Sequence, residues 1–405
     1  MDNKIKILFV DDEPKLLDGL RRMLHPMRKD WDMVFAHSGS EALDLLAQSP
    51  FNVIVSDMKM PRMDGHQLLT SVKAKYPQVA RIALSGQTSR ETFLHSAGPI
   101  HQFLSKPCTA ETLKNAIARV CSFRDMISNE NLQKLTSHLE SLPSVLMLCT
   151  ELLEELQSEE PSTKKICKII AQDMGISVKI LQLVNSAYFG IRHSVSNISQ
   201  AVNLLGLDTI KTLVVSAKIF SQFQQTNGAE VSLKALWDHS ITVTGWTQAI
   251  AKSENVDQQL IDEFILAGML HDVGKLVLAC QLPKEYEQVL ALSTRKNLPL
   301  FTAERKVIGT SHAEVGAYLL GLWGFSHNVA EAAAFHHHPT DASTEKFSPL
   351  TAVYAANMLT HELDSWKTGQ DKDVPMEDDY LGKLGLLDRL AIWKQSCLDS
   401  LAVKC

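Results

Sequence analysis

The stretch VIVSDMKMPRMDG, from Val53 to Gly65, decides the fold of the N-terminal region. A run of apolar, β-type residues ends on Asp57, and Pro61 and Gly65 then turn the chain. In a parallel α/β sheet, ligands and chemistry lie at the carboxyl ends of the strands, which is where Asp57 falls. An aspartate in this position can equally be a helix N-cap or a turn residue, so its role depends on partners elsewhere in the chain.

Short apolar runs alternate with helical patterns through residues 1–124. This alternation predicts a doubly wound, parallel sheet with helices on its faces. The five predicted strands cover residues 5–10, 33–36, 51–56, 81–84 and 101–105. Four of them end on polar residues that would meet at one edge of the sheet: Asp11 with Asp12, Asp57, Ser85, and Lys106.

These four strand ends carry the groups needed for phosphoryl transfer. Carboxylates around a small, oxygen-lined site suit Mg²⁺, which would screen Asp57 so that its carboxylate can attack a phosphoryl group. Lys106 would supply a positive charge to a phosphoryl oxygen, and Ser85 a hydroxyl donor. Each residue alone is more simply a turn or surface residue, but together they predict a common site.

Residues 4–124 resemble a response-regulator receiver domain. The resemblance is carried by Asp11, Asp12, Asp57, the turn from Met60 to Gly65, Ser85 and the Lys106-Pro107 pair. It implies that a histidine kinase phosphorylates Asp57 and that Phe103 is the aromatic switch residue. It also implies Mg²⁺ held by Asp11, Asp12, Asp57 and the main-chain carbonyl of Lys59. Receivers often dimerise through their last helix, so a homodimer is one option.

Composition and charge exclude several classes of partner. The 405 residues carry a net charge of −6, so no basic footprint indicates a nucleic-acid partner. There is neither an apolar run of transmembrane length nor a signal-peptide core, which predicts a cytoplasmic protein without a membrane partner. The 7 cysteines lack CxxC spacing and are expected to be reduced thiols.

Residues 125–141 are a polar linker with leucines at helical spacing, namely Leu132, Leu135 and Leu139. The segment is either a plain connection or a helical lever between the two halves, and three leucines are too few for a coiled coil. From residue 142 to residue 405, strand signals almost vanish and helical patterns follow one another. This predicts an all-α domain with a C-terminal helical extension, whose last helix covers residues 381–397.

Histidines recur on or beside the predicted helices of this second region. They are His239, His271 next to Asp272, His312, and the run His336-His337-His338. Neutral imidazoles with one carboxylate suit a transition metal such as Fe, Mn or Zn, and facing helices can present them to one centre. A lone buried histidine is more simply a core residue, but these sites are better explained together.

The arrangement resembles the HD phosphohydrolase superfamily. That superfamily expects a further aspartate where this chain offers Asn357, and the Gly-Tyr-Pro signature of its cyclic-dinucleotide branch is absent. Leu142-Pro143, the segment around Asn185, residues 201–206 and the terminal His-His pair resemble the HDOD domain over residues 142–340. This second resemblance implies the HD fold without catalytic activity.

Two functions from different classes remain open. The first is a two-component response regulator in which the helical domain relays the state of Asp57 to an unknown downstream protein. The alternative is a metal-dependent phosphodiesterase for a cyclic dinucleotide, with Lys275 steadying a phosphate. Its metal ligands would be His239, His271, Asp272, His312, His336 and His337. A DNA-binding output is disfavoured because no helix is rich in lysine or arginine.

Overall fold

In the computed structural model, the residues described are 4–85, 99–122, 160–184, 195–207, 229–368 and 378–402, with positions 152, 155, 156, 158 and 210. The chain divides into two compact units. One contains the N-terminal region up to Glu140, and the other contains most of the chain from Ser141 onward. The predicted boundaries at residues 124 and 141, and the linker between them, lie outside the described residues.

The N-terminal region is a five-stranded sheet in the order β2-β1-β3-β4-β5. All neighbouring strands are parallel. The strands are β1 Ile5–Val10, β2 Trp31–Ala36, β3 Val53–Asp57, β4 Ala80–Ser85 and β5 Gln102–Ser105. The helices are α1 Pro14–Met23, α2 Gly39–Gln48, α3 Gly65–Lys75 and α4 Ala110–Ser122, with a 3-10 turn at His25–Lys29. The predicted fold class is therefore confirmed.

The register of the strands aligns the predicted site residues. Val10 pairs with Ser56, so Asp11 and Asp57 follow at the same level of β1 and β3. Asp57 pairs with Leu84, the residue before Ser85. Apolar side chains on the central strands are almost fully buried, which anchors these strand ends in a rigid core.

The second region is helical throughout its described residues. Its helices are α5 Thr163–Ile170, α6 Met174–Val184, α7 Ile198–Leu205, α8 Ala229–Ser253, α9 Gln258–Leu270, α10 Val273–Gln281, α11 Pro283–Lys296, α12 Leu300–Val307, α13 His312–Leu322, α14 His327–Phe335, α15 Pro349–Thr368, α16 Asp378–Lys383 and α17 Leu390–Ala402. Short 3-10 turns lie at Pro339–Asp341 and Leu387–Arg389. Helices α10 and α12 were not predicted from the sequence.

The predicted single helix over residues 381–397 is wrong. Gly385 adopts a left-handed φ of +67°, which ends α16, and α17 begins only at Leu390. The extension packs on the helical core. Tyr380, Leu381, Trp393 and Cys397 belong to a buried cluster that also holds residues of α8, α9 and α15.

Several sequence expectations fall on residues outside the described part. They concern Leu142-Pro143, the segment around Asn185 and the leucines of the linker. Among the described helices, none alone is long and apolar enough to cross a membrane. The segments Leu260–Gln281 and Pro283–Lys296 pass that test only as a pair, and they are bent by 119°.

Candidate functional site

Two buried carboxylates and one lysine meet at the carboxyl edge of the sheet. The Nζ atom of Lys106 lies 2.7 Å from Oδ2 of Asp11 and 2.5 Å from Oδ1 of Asp57. Asp11 is 1% exposed and Asp57 8% exposed, so the pairs lie largely out of water. Three sequence-predicted residues from three separate strand ends are thus brought together.

Backbone groups orient both carboxylates. The amide of Lys59 donates to Oδ2 of Asp57 at 3.0 Å, and the amide of Glu13 donates to Oδ1 of Asp11 at 2.9 Å. The amide of Lys106 donates to the carbonyl of Ser85 at 2.8 Å, which ties the ends of β4 and β5 together. Each side chain is therefore held at the edge by the turn that follows its strand.

The charge on Lys106 is maintained by its two partners. Burial alone would lower the pKa of this lysine, but hydrogen bonds and charge interactions with Asp11 and Asp57 outweigh burial and raise its pKa. Lys106 therefore remains an ammonium group at neutral pH. A fixed positive charge beside Asp57 suits a site that must stabilise developing negative charge.

The turn after β3 requires a glycine at position 65, the last residue of the stretch Val53–Gly65. Its amide donates to the carbonyl of Met58 at 3.1 Å, which closes the turn after β3. A Cβ atom on Gly65 would lie 2.1 Å from the carbonyl oxygen of Asp57, so only glycine lets the backbone approach this closely. Asp64 then starts α3 through a capping box with Gln67.

The remaining predicted receiver residues lie around this edge. Asp12 follows Asp11 directly and is partly exposed, and Ser85 is the half-buried last residue of β4. Phe103 lies in β5 opposite Ala83 and packs against the core of the sheet. Magnesium coordination by Asp12 or by the carbonyl of Lys59, and a switch role for Phe103, stay predictions.

A second cluster surrounds Asp272, which is 1% exposed. The Oδ2 atom of Asp272 lies 3.4 Å from Nε2 of His271 and 3.6 Å from Nε2 of His239. Its Oδ1 atom lies 3.3 Å from Nε2 of His312 and 3.5 Å from Nε2 of His336. His337 joins through its Nε2 atom, 2.9 Å from Nε2 of His312. All six predicted metal ligands therefore converge.

Helix ends deliver these side chains. His271 and Asp272 lie between α9 and α10, His312 begins α13, and His336 is the C-cap of α14. A Cβ atom on Gly274 would lie 1.9 Å from the carbonyl oxygen of His312. Glycine at this position therefore permits the start of α10 to touch α13, which brings Asp272 to His312.

Hydrogen bonds fix the ring protons away from Asp272. Nδ1 of His271 lies 2.8 Å from the carbonyl oxygen of Gly268, and Nδ1 of His336 lies 2.9 Å from the carbonyl oxygen of Ala333. A carbonyl only accepts, so Nδ1 carries the proton and Nε2 presents a lone pair. Metal-binding histidines in proteins are oriented in this way.

The cluster contains buried polar atoms without a hydrogen-bond partner in the described part of the chain. They are Nε2 of His239, His271 and His336, and Oδ1 of Asp272. Such atoms are rare in native structures because they lose their hydration without compensation. Lone pairs that face a carboxylate oxygen in a dry site fit a bound cation.

Protonation favours the same interpretation. Burial lowers the pKa of His239 and of His336 to about 3, so both rings are neutral and able to bind a metal. Burial alone would raise the pKa of Asp272, but its interactions with His271 and Lys275 and its hydrogen bonds hold that pKa well below its ordinary value. The site thus presents neutral imidazoles and an ionised carboxylate, a donor set typical of Fe, Mn or Zn.

Two residues of the site were missed by the sequence reasoning. Glu304, fully buried in α12, accepts hydrogen bonds from the backbone amide of His312 at 2.8 Å and from its Nδ1 atom at 2.6 Å. His361 in α15 has its ring centroid 5.4 Å from that of His239. Asn357, which stands where the HD superfamily has an aspartate, is buried one turn before His361. The sequence signal for Glu304 was its helical spacing from two apolar residues, Phe301 and Ile308.

Comparison with known families agrees with both regions. The response regulator receiver domain matches residues 7–118, and the HDOD domain matches residues 142–339. The chain is a receiver domain joined to an HDOD domain. The HDOD match ends before α15, α16 and α17, although these helices share its buried core.

Three relatives each match part of this chain and less than half of their own length. An uncharacterized protein of Treponema pallidum is 27% identical over 57% of this chain and 44% of its own length. The hydrogenase transcriptional regulatory protein HoxA of Cupriavidus necator is 33% identical over 29% of this chain, and the response regulator protein FleR of Pseudomonas aeruginosa is 32% identical over 28%. Each of these two matches spans 24% of the relative's length.

Solved structures with a related fold include the MmoQ response regulator of Methylococcus capsulatus. It is 23% identical, with a TM-score of 0.47 over 63% of this chain and 98% of that protein. An HDOD domain protein of Geobacter sulfurreducens is 21% identical, with a TM-score of 0.37 over 72% of this chain and 96% of that protein.

Proposed function

We propose that this protein is a two-component response regulator in which Asp57 accepts a phosphoryl group from a histidine kinase. The observation that carries the proposal is the ammonium of Lys106 held between the carboxylates of Asp11 and Asp57. The names of relatives such as FleR, a response regulator protein, support the same role. The HDOD region then conveys the state of the receiver to a protein partner.

The chemistry follows from the geometry of the edge. An oxygen of Asp57 forms a bond to phosphorus, and the bond between phosphorus and the donor nitrogen breaks, leaving its electron pair on the donor. Asp11, Asp12, Asp57 and the carbonyl of Lys59 would hold Mg²⁺, which would supply charge neutralisation. Lys106 and the hydroxyl of Ser85 stabilise the negative oxygens of the transferred group.

Phosphorylation also changes what Lys106 can bind. In the unphosphorylated chain this lysine is shared between Asp11 and Asp57. Phosphorylation replaces the single negative charge of the Asp57 carboxylate by a phosphoryl group with up to about two negative charges and further acceptor oxygens, which attract Lys106 and Ser85. The resulting shift at the ends of β4 and β5 moves Phe103, which packs on the sheet core, and biases the receiver between two states.

Labelling with a small phosphodonor and Mg²⁺ tests this assignment. The wild-type chain is expected to take up close to one phosphoryl group, whereas Asp57→Asn is expected to take up none. Asp44→Asn is a matched control because Asp44 is an exposed carboxylate in α2 of the same domain. Full labelling of Asp57→Asn, or loss of labelling in Asp44→Asn, would contradict the assignment.

A second candidate function is a metal-dependent phosphodiesterase in the HDOD region. The convergence of His239, His271, Asp272, His312, His336 and His337, with unpartnered buried lone pairs among them, favours it. A bound transition metal would supply a nucleophilic water or hydroxide at neutral pH. Lys275, next to Asp272, would hold a phosphate oxygen of the substrate.

Metal analysis and a cleavage assay separate this candidate from a purely structural cluster. We expect Fe, Mn or Zn to purify with the wild-type chain, and Asp272→Asn to lose that metal. Cleavage of a cyclic dinucleotide by the metal-loaded wild-type chain, and not by Asp272→Asn, would establish the activity. If the wild-type chain binds metal but does not cleave a cyclic dinucleotide, the cluster is a metal-binding centre and the phosphodiesterase function is rejected.

A further inference from the structure

We propose that Lys275 takes the place of a second metal ion, so that the HDOD cluster binds one divalent transition metal, on the Oδ1 side of Asp272 only. This inference rests on the metal centre proposed above. To that metal centre it adds the number of bound ions, the position of the ion, and the residue that determines this number and this position. The basis is an asymmetry between the two oxygens of one buried carboxylate.

The Oδ2 atom of Asp272 already has a cation. The ammonium of Lys275 lies 2.5 Å from it, a short, charge-assisted contact. The contact is local, because Lys275 follows Asp272 by three residues and its amide donates to the carbonyl of Asp272 at 2.9 Å in the first turn of α10. The lysine is therefore held against this oxygen by the helix itself.

The Oδ1 atom of Asp272 has no such partner. It is buried without a hydrogen bond among the described residues, and it faces Nε2 of His312 and of His336. His337 adds a third imidazole to this side. These atoms lie within 4.8 Å of one another, the spacing of donors around one ion. This half of the cluster has four donor groups, and no lysine or arginine among the described residues pairs with its carboxylate oxygen.

A second negative charge lies behind the Oδ1 side. Glu304 accepts from Nδ1 of His312, so a ring proton is held on Nδ1, the nitrogen that faces away from Asp272. Carboxylates in this outer position strengthen histidine ligands and hold them in place.

The Oδ2 side has fewer donors and less negative charge. Its ligands are two imidazoles, His239 and His271, together with the oxygen that Lys275 neutralises. The side chains that the structure describes in α15, from residue 349 to residue 361, include no carboxylate, and the ring of His361 lies beside that of His239. A divalent ion on this side would meet the ammonium of Lys275 across a shared oxygen, and repulsion would exclude it.

Replacing Lys275 by methionine tests the inference. Methionine keeps the length of the side chain and removes its charge. Lys284→Met, an exposed lysine in α11, removes the same charge away from the cluster and serves as the control. Each chain would be stripped of metal, dialysed against Mn²⁺, and its bound Mn²⁺ counted.

We expect one Mn²⁺ per chain in the wild type and in Lys284→Met, and two in Lys275→Met. Two ions bridged by Asp272 would also replace the signal of an isolated Mn²⁺ in electron paramagnetic resonance by that of a coupled pair. Two ions in the wild type, or one in Lys275→Met, would overturn the role of Lys275 and leave the metal centre standing. No ion in any chain would overturn the metal centre itself.

Glu304→Gln checks which side binds the single ion. Glutamine keeps an acceptor for the ring proton of His312 but removes the charge behind it. We expect its Mn²⁺ affinity to fall by about 10- to 100-fold relative to the wild type. In the double variant with Lys275→Met, only one of the two sites should weaken. Equal affinity in Glu304→Gln and the wild type would overturn the assignment to the Oδ1 side.

Discussion

Trp393→Ala is expected to lower the free energy of unfolding of the helical region by about 3–5 kcal/mol. The indole is fully buried in α17, within the cluster that α8 and α15 also line. Its Nε1 atom donates to Oε1 of Glu254 at 2.6 Å, and Nε of Arg389 donates to the same oxygen at 2.7 Å. Alanine would leave a cavity and remove one of two donors from Glu254.

Urea unfolding followed by far-ultraviolet circular dichroism measures the loss. Trp393→Phe should cost less than Trp393→Ala because it keeps most of the apolar contact and loses only the ring N–H and some volume. Ile392→Ala is the matched control, since Ile392 is the preceding residue of the same helix and is 44% exposed. Equal urea midpoints for Trp393→Ala and Ile392→Ala would mean that α17 does not belong to the core.

The parallel sheet could be predicted because each strand is a continuous apolar run that ends on a polar residue. Val53, Ile54 and Val55 are fully buried, and a strand that is buried on both faces of the sheet is recognisable in the sequence as a continuous apolar run. The α12 helix was missed because its eight residues carry a short pattern in which Glu304 takes a core position. The break at Gly385 was missed although a glycine within a helical pattern is itself a signal for a left-handed helix end.

The sites differ in how much of them the sequence could predict. Residues at strand ends, such as Asp57 and Lys106, are fixed by topology, so their meeting follows from the alternation of strands and helices. The histidines could be grouped by residue type, but which oxygen of Asp272 each ring faces depends on helix packing. The contact between Lys275 and Oδ2 is likewise a matter of side-chain placement. It could not be read from the spacing alone.

Acidification is expected to destabilise the metal-free helical region steeply below pH 6.5. Burial lowers the pKa of His239 and of His336 from 6.5 to about 3, and it also lowers the pKa of His337. Between these values the unfolded chain binds more protons than the folded chain. The stability that these rings contribute is therefore complete above pH 6.5 and is lost as the pH falls towards 3.

The size of the effect follows from the number of rings. As the pH falls through this window, each ring that burial keeps neutral lowers the free energy of unfolding by up to about 1.4 kcal/mol per pH unit. His312 acts in the opposite direction, because its raised pKa contributes stability that is present below pH 6.5 and lost as the pH rises through the folded value. Three lowered rings outnumber one raised ring, so the net change on acidification is a loss.

Urea midpoints of the chelator-treated protein at pH 7.5, 6.5, 5.5 and 4.5 check this prediction. The midpoint should fall below pH 6.5, and His336→Gln should make the fall shallower because it removes one titrating ring. His327→Gln is the control, since the side chain of His327 in α14 is 59% exposed. Metal-loaded protein should start from a higher midpoint and lose that advantage as protons displace the ion from the imidazoles. A midpoint that stays constant from pH 7.5 to 4.5 would show that these rings are not held neutral by burial.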